Sequence, residues 1–293
     1  MTTSGSEDLA RFSRALGRQA SLLGRSLPWI GIEDPWAVLV SEVMLQQTQV
    51  ARVLEPWRRF LDAFPNATAC ADAPLSSTLR LWEGLGYHRR ARALHRAACV
   101  LRDDYGGAVP EDVVALRTLP GVGEYTAHAV ASFAFGQRVA VLDTNVGRVL
   151  ARAVANRTLG AREACDLAYE LLPASNVASH NQALLDLGAQ YCRSKPRCTS
   201  CPLARSCRWN LEGGPDPAPL SAAVSRRQSA FEGSDRQVRG RVLGLLRRGD
   251  ASLSAVGAHV ATTDPARLER IIADLVADGL VERAGRRLRL AGS

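Results

Sequence analysis

The sequence predicts an all-α chain that ends in a small α+β module, and three observations carry this. Apolar residues recur at helical spacing from Leu9 to Leu187. Strand-type alternation is absent there, apart from a short apolar run at residues 139–142. After Cys207 the composition turns rich in Gly and Pro, and residues 279–290 then alternate apolar and basic as a hairpin does.

Punctuation divides the helical stretch. Breaks at Pro28, Pro35, Pro65, Pro74, Gly106-Gly107, Pro110, Pro120-Gly121, Gly136, Gly160 and Pro173 leave roughly ten helices joined by short loops. Residues 1–209 are expected to form the helical domain, with residues 210–235 as a linker made semi-rigid by its prolines. Residues 236–293 are expected to form a winged-helix-like module: helices over 236–248, 253–260 and 265–278, then the hairpin. A plain helical cap with a β-hairpin is the alternative.

The chain has 293 residues and a net charge of +8, which suits a polyanionic partner without singling one out. Lys195 is the only lysine, so a side-chain amine nucleophile is nearly unavailable. The polar N-terminus does not read as a signal peptide, and no apolar run reaches spanning length. The expected location is the cytoplasm, at the nucleoid, and the expected state is monomeric.

Four groups of residues carry chemistry. The first lies in residues 119–148, where Leu-Pro-Gly-Val-Gly places Gly121 and Gly123 in a tight turn between two helices, at about 110–136. Glycine takes positive φ freely, and amides at such a helix start can hold a phosphate. The plainer reading is a turn and nothing more. The apolar run then delivers Asp143 and Asn145 to the mouth of the next helix. Asp143 there can be a simple N-cap, a carboxylate kept ionised by the helix dipole opposite a developing positive charge, or both.

The second is Glu42, which interrupts an apolar helical run between Val40, Val43 and Met44. A desolvated carboxyl group titrates nearer neutrality and suits a general acid and base; a solvated helix face is the alternative. Gln46, Gln47 and Thr48 close that run with amides and a hydroxyl able to read base edges.

The third is Cys192-x5-Cys198-x2-Cys201-x5-Cys207, spanning residues 192–207 with arginines around it. Four thiols at this spacing read as a metal site, with zinc and a [4Fe–4S] cluster both open. The fourth is the glycine-bracketed tip carrying Leu85 and Tyr87, followed by arginines. It suits a wedge entering a base stack with phosphate clamps behind it; the alternative folds both side chains into the core.

Together these segments resemble the endonuclease III (helix-hairpin-helix) superfamily and, within it, the MutY-type adenine DNA glycosylases. Ser41 to Val50, Gly84 to Tyr87, Leu119 to Ala127 with Leu142-Asp143, and Asn181 to Ala189 carry the resemblance, which covers roughly residues 12–209. It implies a bilobal helical fold, double-stranded DNA crossing between the lobes, and a [4Fe–4S] cluster. A monovalent cation at the hairpin is a further candidate. It also implies excision of adenine mispaired with 8-oxoguanine or guanine by base flipping. By motif, Glu42 matches the acid/base, Asp143 the carboxylate facing the sugar, and Asn145 its support. Tyr125 stands where bifunctional relatives place a lysine, which implies a monofunctional enzyme. Gln47, Leu85 and Tyr87 match residues inserted around the orphan base, and Trp29 and Gln182 the neighbourhood of the extruded adenine.

Three departures stand out. The first cysteine interval is one residue shorter than the family's usual spacing. Ile30 replaces a common polar residue after Trp29. The usual Nudix-like domain is not recognisable, and the C-terminal module stands in its place, a form similar to shortened actinobacterial members. Its Arg283, Arg286, Arg287 and Arg289 suit phosphates. Two rival functions share much of this pattern: a thymine mismatch glycosylase of the same superfamily, and a non-catalytic iron–sulfur winged-helix regulator.

Overall fold

The computed structural model describes residues 3–224, 231–260 and 264–293. Residues 225–230 of the expected linker lie outside the described residues. The chain divides into two compact units, each assembled from two stretches of sequence: residues 1–33 with 124–227, and residues 34–123 with 228–293.

The first unit contains α1 (Thr3–Leu23), α8 (Glu124–Phe135), α9 (Thr144–Val149), α10 (Ala161–Glu170), α11 (Val177–Gln190) and α12 (Arg208–Glu212). Helix α11 packs against α1 and α9, burying Phe12, Leu16, Val149, Leu150, Leu184 and Leu187 in one apolar core. Gly136 ends α8 as expected, with φ 64 and its N–H donating to the Ser132 carbonyl at 3.1 Å. The apolar run that follows is not a strand. Its backbone finds a side chain instead: Asn181 donates to the Val139 carbonyl at 2.9 Å and accepts from the Val141 N–H at 3.4 Å.

The second unit holds α2 (Pro35–Leu45), α3 (Leu54–Ala63), α4 (Ala67–Asp72), α5 (Leu75–Leu81), α6 (Arg89–Tyr105) and α7 (Val113–Thr118). Asp34 caps α2 by accepting from the Trp36 N–H at 2.9 Å, with Pro35 at the first helical position. Every side chain from Trp36 to Met44 is buried. Phe60 joins Trp36, Phe64 and Trp82 in an aromatic core with ring centroids 5.1–6.5 Å apart.

The same unit carries α13 (Asp235–Leu246), α14 (Leu253–Val260) and α15 (Pro265–Ala277) with an antiparallel sheet of order β1-β3-β2. The expected hairpin is β2 (Val281–Ala284) and β3 (Arg287–Leu290), turning at Gly285 and Arg286. The short β1 (Ala251–Ser252) has no sequence signal of its own; it exists by pairing Ala251 with Leu288. Three helices and this sheet make a winged-helix-like module.

Its charges correct one expectation. Arg283 pairs with Glu269, Arg289 sits 2.6 Å from Glu282, and Arg267 and Arg270 share Asp235 at 2.8 and 2.9 Å. Acids within the module therefore engage two of the hairpin arginines read as phosphate ligands. Among the described residues, no helix is long and apolar enough to cross a membrane.

Candidate functional site

Glu42 lies on the wholly buried helix α2 and is 6% exposed. That excludes a solvated helix face. The end of α2 is fixed by a residue that sequence patterning missed. The Arg90 guanidinium donates to the carbonyls of Val43 (3.0 Å), Met44 (2.9 Å) and Gln46, and to Thr48 Oγ1 at 2.9 Å. The nitrogen that donates to Thr48 also reaches the carbonyls of Leu85 and Gly86, each at 3.2 Å. Arg90 is thus no phosphate clamp. It ties the helix bearing Glu42 to the glycine-bracketed tip, and burial pushes its pKa down to about 10.

The tip itself is strained. Tyr87 has φ 48 and Gln47 φ 54, left-handed values unusual for residues with a side chain. Arg90 stacks on the Tyr87 ring at 5.3 Å. Leu85 departs from the expected projecting tip: it is 2% exposed and belongs to the core. Gln47 is exposed, and Tyr87 and Thr48 are half-buried. Gln46 spends an amide hydrogen on the Gly121 carbonyl at 3.2 Å rather than leaving it for a base.

The hairpin glycines differ from each other. Gly121 has φ 80, and a Cβ there would lie 2.7 Å from the Ala93 methyl group. Gly123 does not have positive φ and faces open space, so room rather than backbone freedom distinguishes it.

In the first unit Asp143 caps α9. Its Oδ1 accepts from the N–H groups of Asn145 (2.7 Å) and Val146 (2.8 Å), and its Oδ2 from the Asn145 side chain at 2.6 Å. Burial pushes the Asp143 pKa up, against the pull of these three donors and of Arg148. Burial and the donors at the helix start therefore act on Asp143 in opposite directions. Gly188 of α11 lies where a Cβ would come 2.5 Å from the Asn145 carbonyl oxygen, so the backbones of α9 and α11 meet there directly. Trp29 is 7% exposed, Gln182 donates to the buried Asp186 at 2.9 Å, and Tyr125 packs against the apolar core.

Cys192, Cys198, Cys201 and Cys207 together line one open pocket, with Val149, Leu187 and Leu203 among its other walls. Among the described residues, no three His, Cys, Asp or Glu side chains converge on a single ion. Four thiols around one pocket are the donor set common to a tetrathiolate zinc site and a [4Fe–4S] cluster. Burial raises the pKa values of Cys192, Cys201 and Cys207, the last to about 11. The buried Arg152 sits beside them, donating to the Arg193 carbonyl at 2.6 Å and to Asp216 Oδ1 and Oδ2 at 2.8 and 2.6 Å. Residues read as linker are thereby built into this unit.

Residues 40–173 match the family model of the HhH-GPD superfamily base excision DNA repair proteins. The adenine DNA glycosylase of Mycolicibacterium smegmatis is 44% identical over 88% of this chain and 88% of its own length. The chain belongs to the adenine DNA glycosylase family. The Mycobacterium tuberculosis enzyme is 46% identical over 85% of this chain and 83% of its own. The human enzyme is 42% identical over 59% of this chain but only 33% of its own. Among solved structures, a thermostable thymine-DNA glycosylase aligns with TM-score 0.64 and 28% identity, over 70% of this chain and 98% of that one. A trapped endonuclease III–DNA covalent intermediate aligns with TM-score 0.60 and 25% identity, over 70% and 97%.

Membership in this family places the signals in context. The carboxyl groups and cysteines were legible from motif. Arg90 and Arg152 were not, because their main partners lie far along the chain. Asn181 and Arg148 fell within segments singled out by motif, but their bonds to Val139, Val141 and the Cys192 carbonyl could not be read there.

Proposed function

We propose that this protein is a monofunctional DNA glycosylase that removes adenine mispaired with 8-oxoguanine or guanine. The observation that carries the reading is Glu42, a carboxyl group held out of water on a fully buried helix, in a chain that aligns over 88% of its length with an adenine DNA glycosylase.

The target adenine is extruded from the duplex, which costs roughly a few kcal/mol and less at a mispair. Glu42 gives its proton to adenine N7, and the electron pair of the C1′–N9 bond departs with the purine. Asp143 faces the resulting oxocarbenium-like sugar. A carboxylate disfavoured by burial gains most from a positive charge forming beside it. Glu42 then takes a proton from water as its oxygen bonds to C1′, leaving free adenine and an abasic site. A lyase step needs an amine. Tyr125 offers none, and Lys195 belongs to the cysteine loop.

Gln47, Thr48 and Tyr87 serve the orphan base, with Tyr87 as the wedge. The amides of Gly121 and Gly123 hold a backbone phosphate, with a monovalent cation as a candidate bridge. Cys192, Cys198, Cys201 and Cys207 would hold a [4Fe–4S] cluster, whose role when bound is to order the basic loop around it. Trp29 and Gln182 neighbour the extruded base.

Single-turnover excision on A:8-oxoguanine, A:G and T:G duplexes tests this. Adenine release from the first two, abolished in Glu42→Gln with mispair binding retained, is the expected result. Preferential thymine release would favour the mismatch glycosylase suggested by the structural likeness to a thymine-DNA glycosylase. Strand nicking trapped by borohydride would overturn monofunctionality.

A further inference from the structure

The C-terminal module directs its arginines in two directions. Those on α15 and the hairpin engage acids of the module itself. Two others, Arg236 on α13 and Arg247 just beyond its end, reach residues of the loop around Gly84-Leu85-Gly86. Arg236 Nη1 donates to the Tyr87 hydroxyl at 2.8 Å, and its guanidinium lies 6.0 Å from the centre of the Tyr87 ring. Arg239 and Arg89 share the carboxylate of Asp278, and Arg247 bridges to Glu83 at 3.1 Å. His88 is held between Arg247, Arg239 and Arg90, and its pKa falls to about 3 through burial and these cations. Gly279 lies so near the Arg92 guanidinium that a Cβ would come within 2.8 Å of it. Tyr87, His88 and Arg89 are thus each engaged by the module, and Tyr87 carries the unfavourable left-handed backbone.

We infer that the C-terminal module is a brace for the wedge, and that Arg236 is a positioning residue that sets the Tyr87 ring in the orientation from which it enters the duplex. This rests on the reading of Tyr87 as the wedge. Arg90 fixes the backbone of the tip and stacks on the Tyr87 ring, while Arg236 engages the ring at its hydroxyl. A hydrogen bond to the hydroxyl from a charged donor, aided by the guanidinium against the ring, fixes the direction of the ring. The module thereby contributes to handling of the orphan base without touching it.

The test uses the full-length protein and an A:G duplex whose adenosine carries a 2′-fluorine to resist cleavage, with 2-aminopurine beside the orphan guanine. Its fluorescence rises when the wedge unstacks it. Arg236→Ala is expected to lose most of that rise and roughly ten-fold in single-turnover excision of the cleavable duplex, with an unchanged melting temperature. Arg236→Lys should restore part of the rise. Tyr87→Phe should lose part of the rise, and the double variant should be no worse than Arg236→Ala, since the arginine substitution removes both the bond to the hydroxyl and the contact with the ring. If Tyr87→Ala abolishes the rise while Arg236→Ala and Tyr87→Phe keep it, the brace is refuted and the wedge reading stands. If Tyr87→Ala keeps the rise, the wedge reading fails and takes the brace with it. A larger rise in Arg236→Ala would make the contact a restraint and also overturn the inference.

Discussion

Asp143 and Cys192 are joined through two intervening side chains. Asn145 donates to Asp143 Oδ2 at 2.6 Å and accepts from Arg148 Nη2 at 2.6 Å, while Arg148 Nε donates to the Cys192 carbonyl at 2.7 Å. Arg148 also reaches the Gly188 carbonyl at 3.1 Å. The amide of Asn145 therefore has both ends fixed, and its orientation toward Asp143 is set from the cysteine loop.

Replacing Arg148 with methionine keeps the stem and removes the donors. We expect single-turnover excision to fall by roughly ten-fold or more, since a hydrogen bond to a charged group typically contributes about 1.5–3 kcal/mol. Mispair binding should change far less. Equal losses in binding and in excision would show that Arg148 serves DNA contact rather than Asp143.

Gly188→Ala tests the close approach of α9 and α11. The added methyl would have to displace the Asn145 backbone, with carbonyl oxygen and carbon at 2.5 and 2.7 Å. Overpacking of this kind costs about 1–3 kcal/mol. The melting temperature should drop and excision should fall with it, because the strain lands two residues from Asp143. A variant with wild-type stability would mean that the helices separate freely there.

Stability should decline as pH falls below 6.5, in part through His180. This residue is 6% exposed, its Nε2 has no hydrogen-bond partner among the described residues, and burial lowers its pKa from 6.5 to about 4. The folded state therefore binds its proton less readily than the unfolded chain. Its contribution is complete above pH 6.5 and is lost as pH falls toward 4, by at most about 1.4 kcal/mol per pH unit. His88, depressed further, acts with the same sign. Denaturant melts between pH 7.5 and 5 should show a shallower decline for His180→Gln than for the wild type. Parallel slopes would remove His180 from the account.

Cys198→Ser should lower DNA affinity and solubility more than intrinsic chemistry, because Cys198 lies among the loop's arginines, whereas the tie to Asp143 runs through the Cys192 backbone. Anaerobically purified wild-type protein should be brown, with iron and sulfide each near about four per chain. Stoichiometric zinc without iron would overturn the cluster assignment.

What could be read from the sequence followed from locality. The cap of Asp143 on α9, the C-cap at Gly136 and the two-residue turn of the C-terminal hairpin each involve residues within a few positions, so their signals are complete in the local text. Burial of Glu42 was legible as one charge in an apolar run. Arg90 was not, because it is one arginine in a cluster and its partners on α2 lie more than forty positions away. The run at residues 139–142 looked like a strand because it is extended and apolar, yet an asparagine side chain satisfies its backbone. Gly121 and Gly123 read alike in sequence and differ both in φ and in surroundings: a Cβ on the first would meet the Ala93 methyl group, and one on the second would meet nothing.

The grip of Arg152 on both the Arg193 carbonyl and Asp216 has a consequence for assembly. These two points bracket Cys198, Cys201 and Cys207, and Cys192 adjoins the first. The arginine thus closes a ring of chain around the thiols, with Trp209 stacked on its guanidinium at 5.5 Å. Closing such a ring costs chain entropy that a metal centre would otherwise have to offset as it forms. With the ring drawn shut by a salt link, folding can come first and loading second. Neutralising Asp216 would leave the closing of that loop to whatever the four thiols bind.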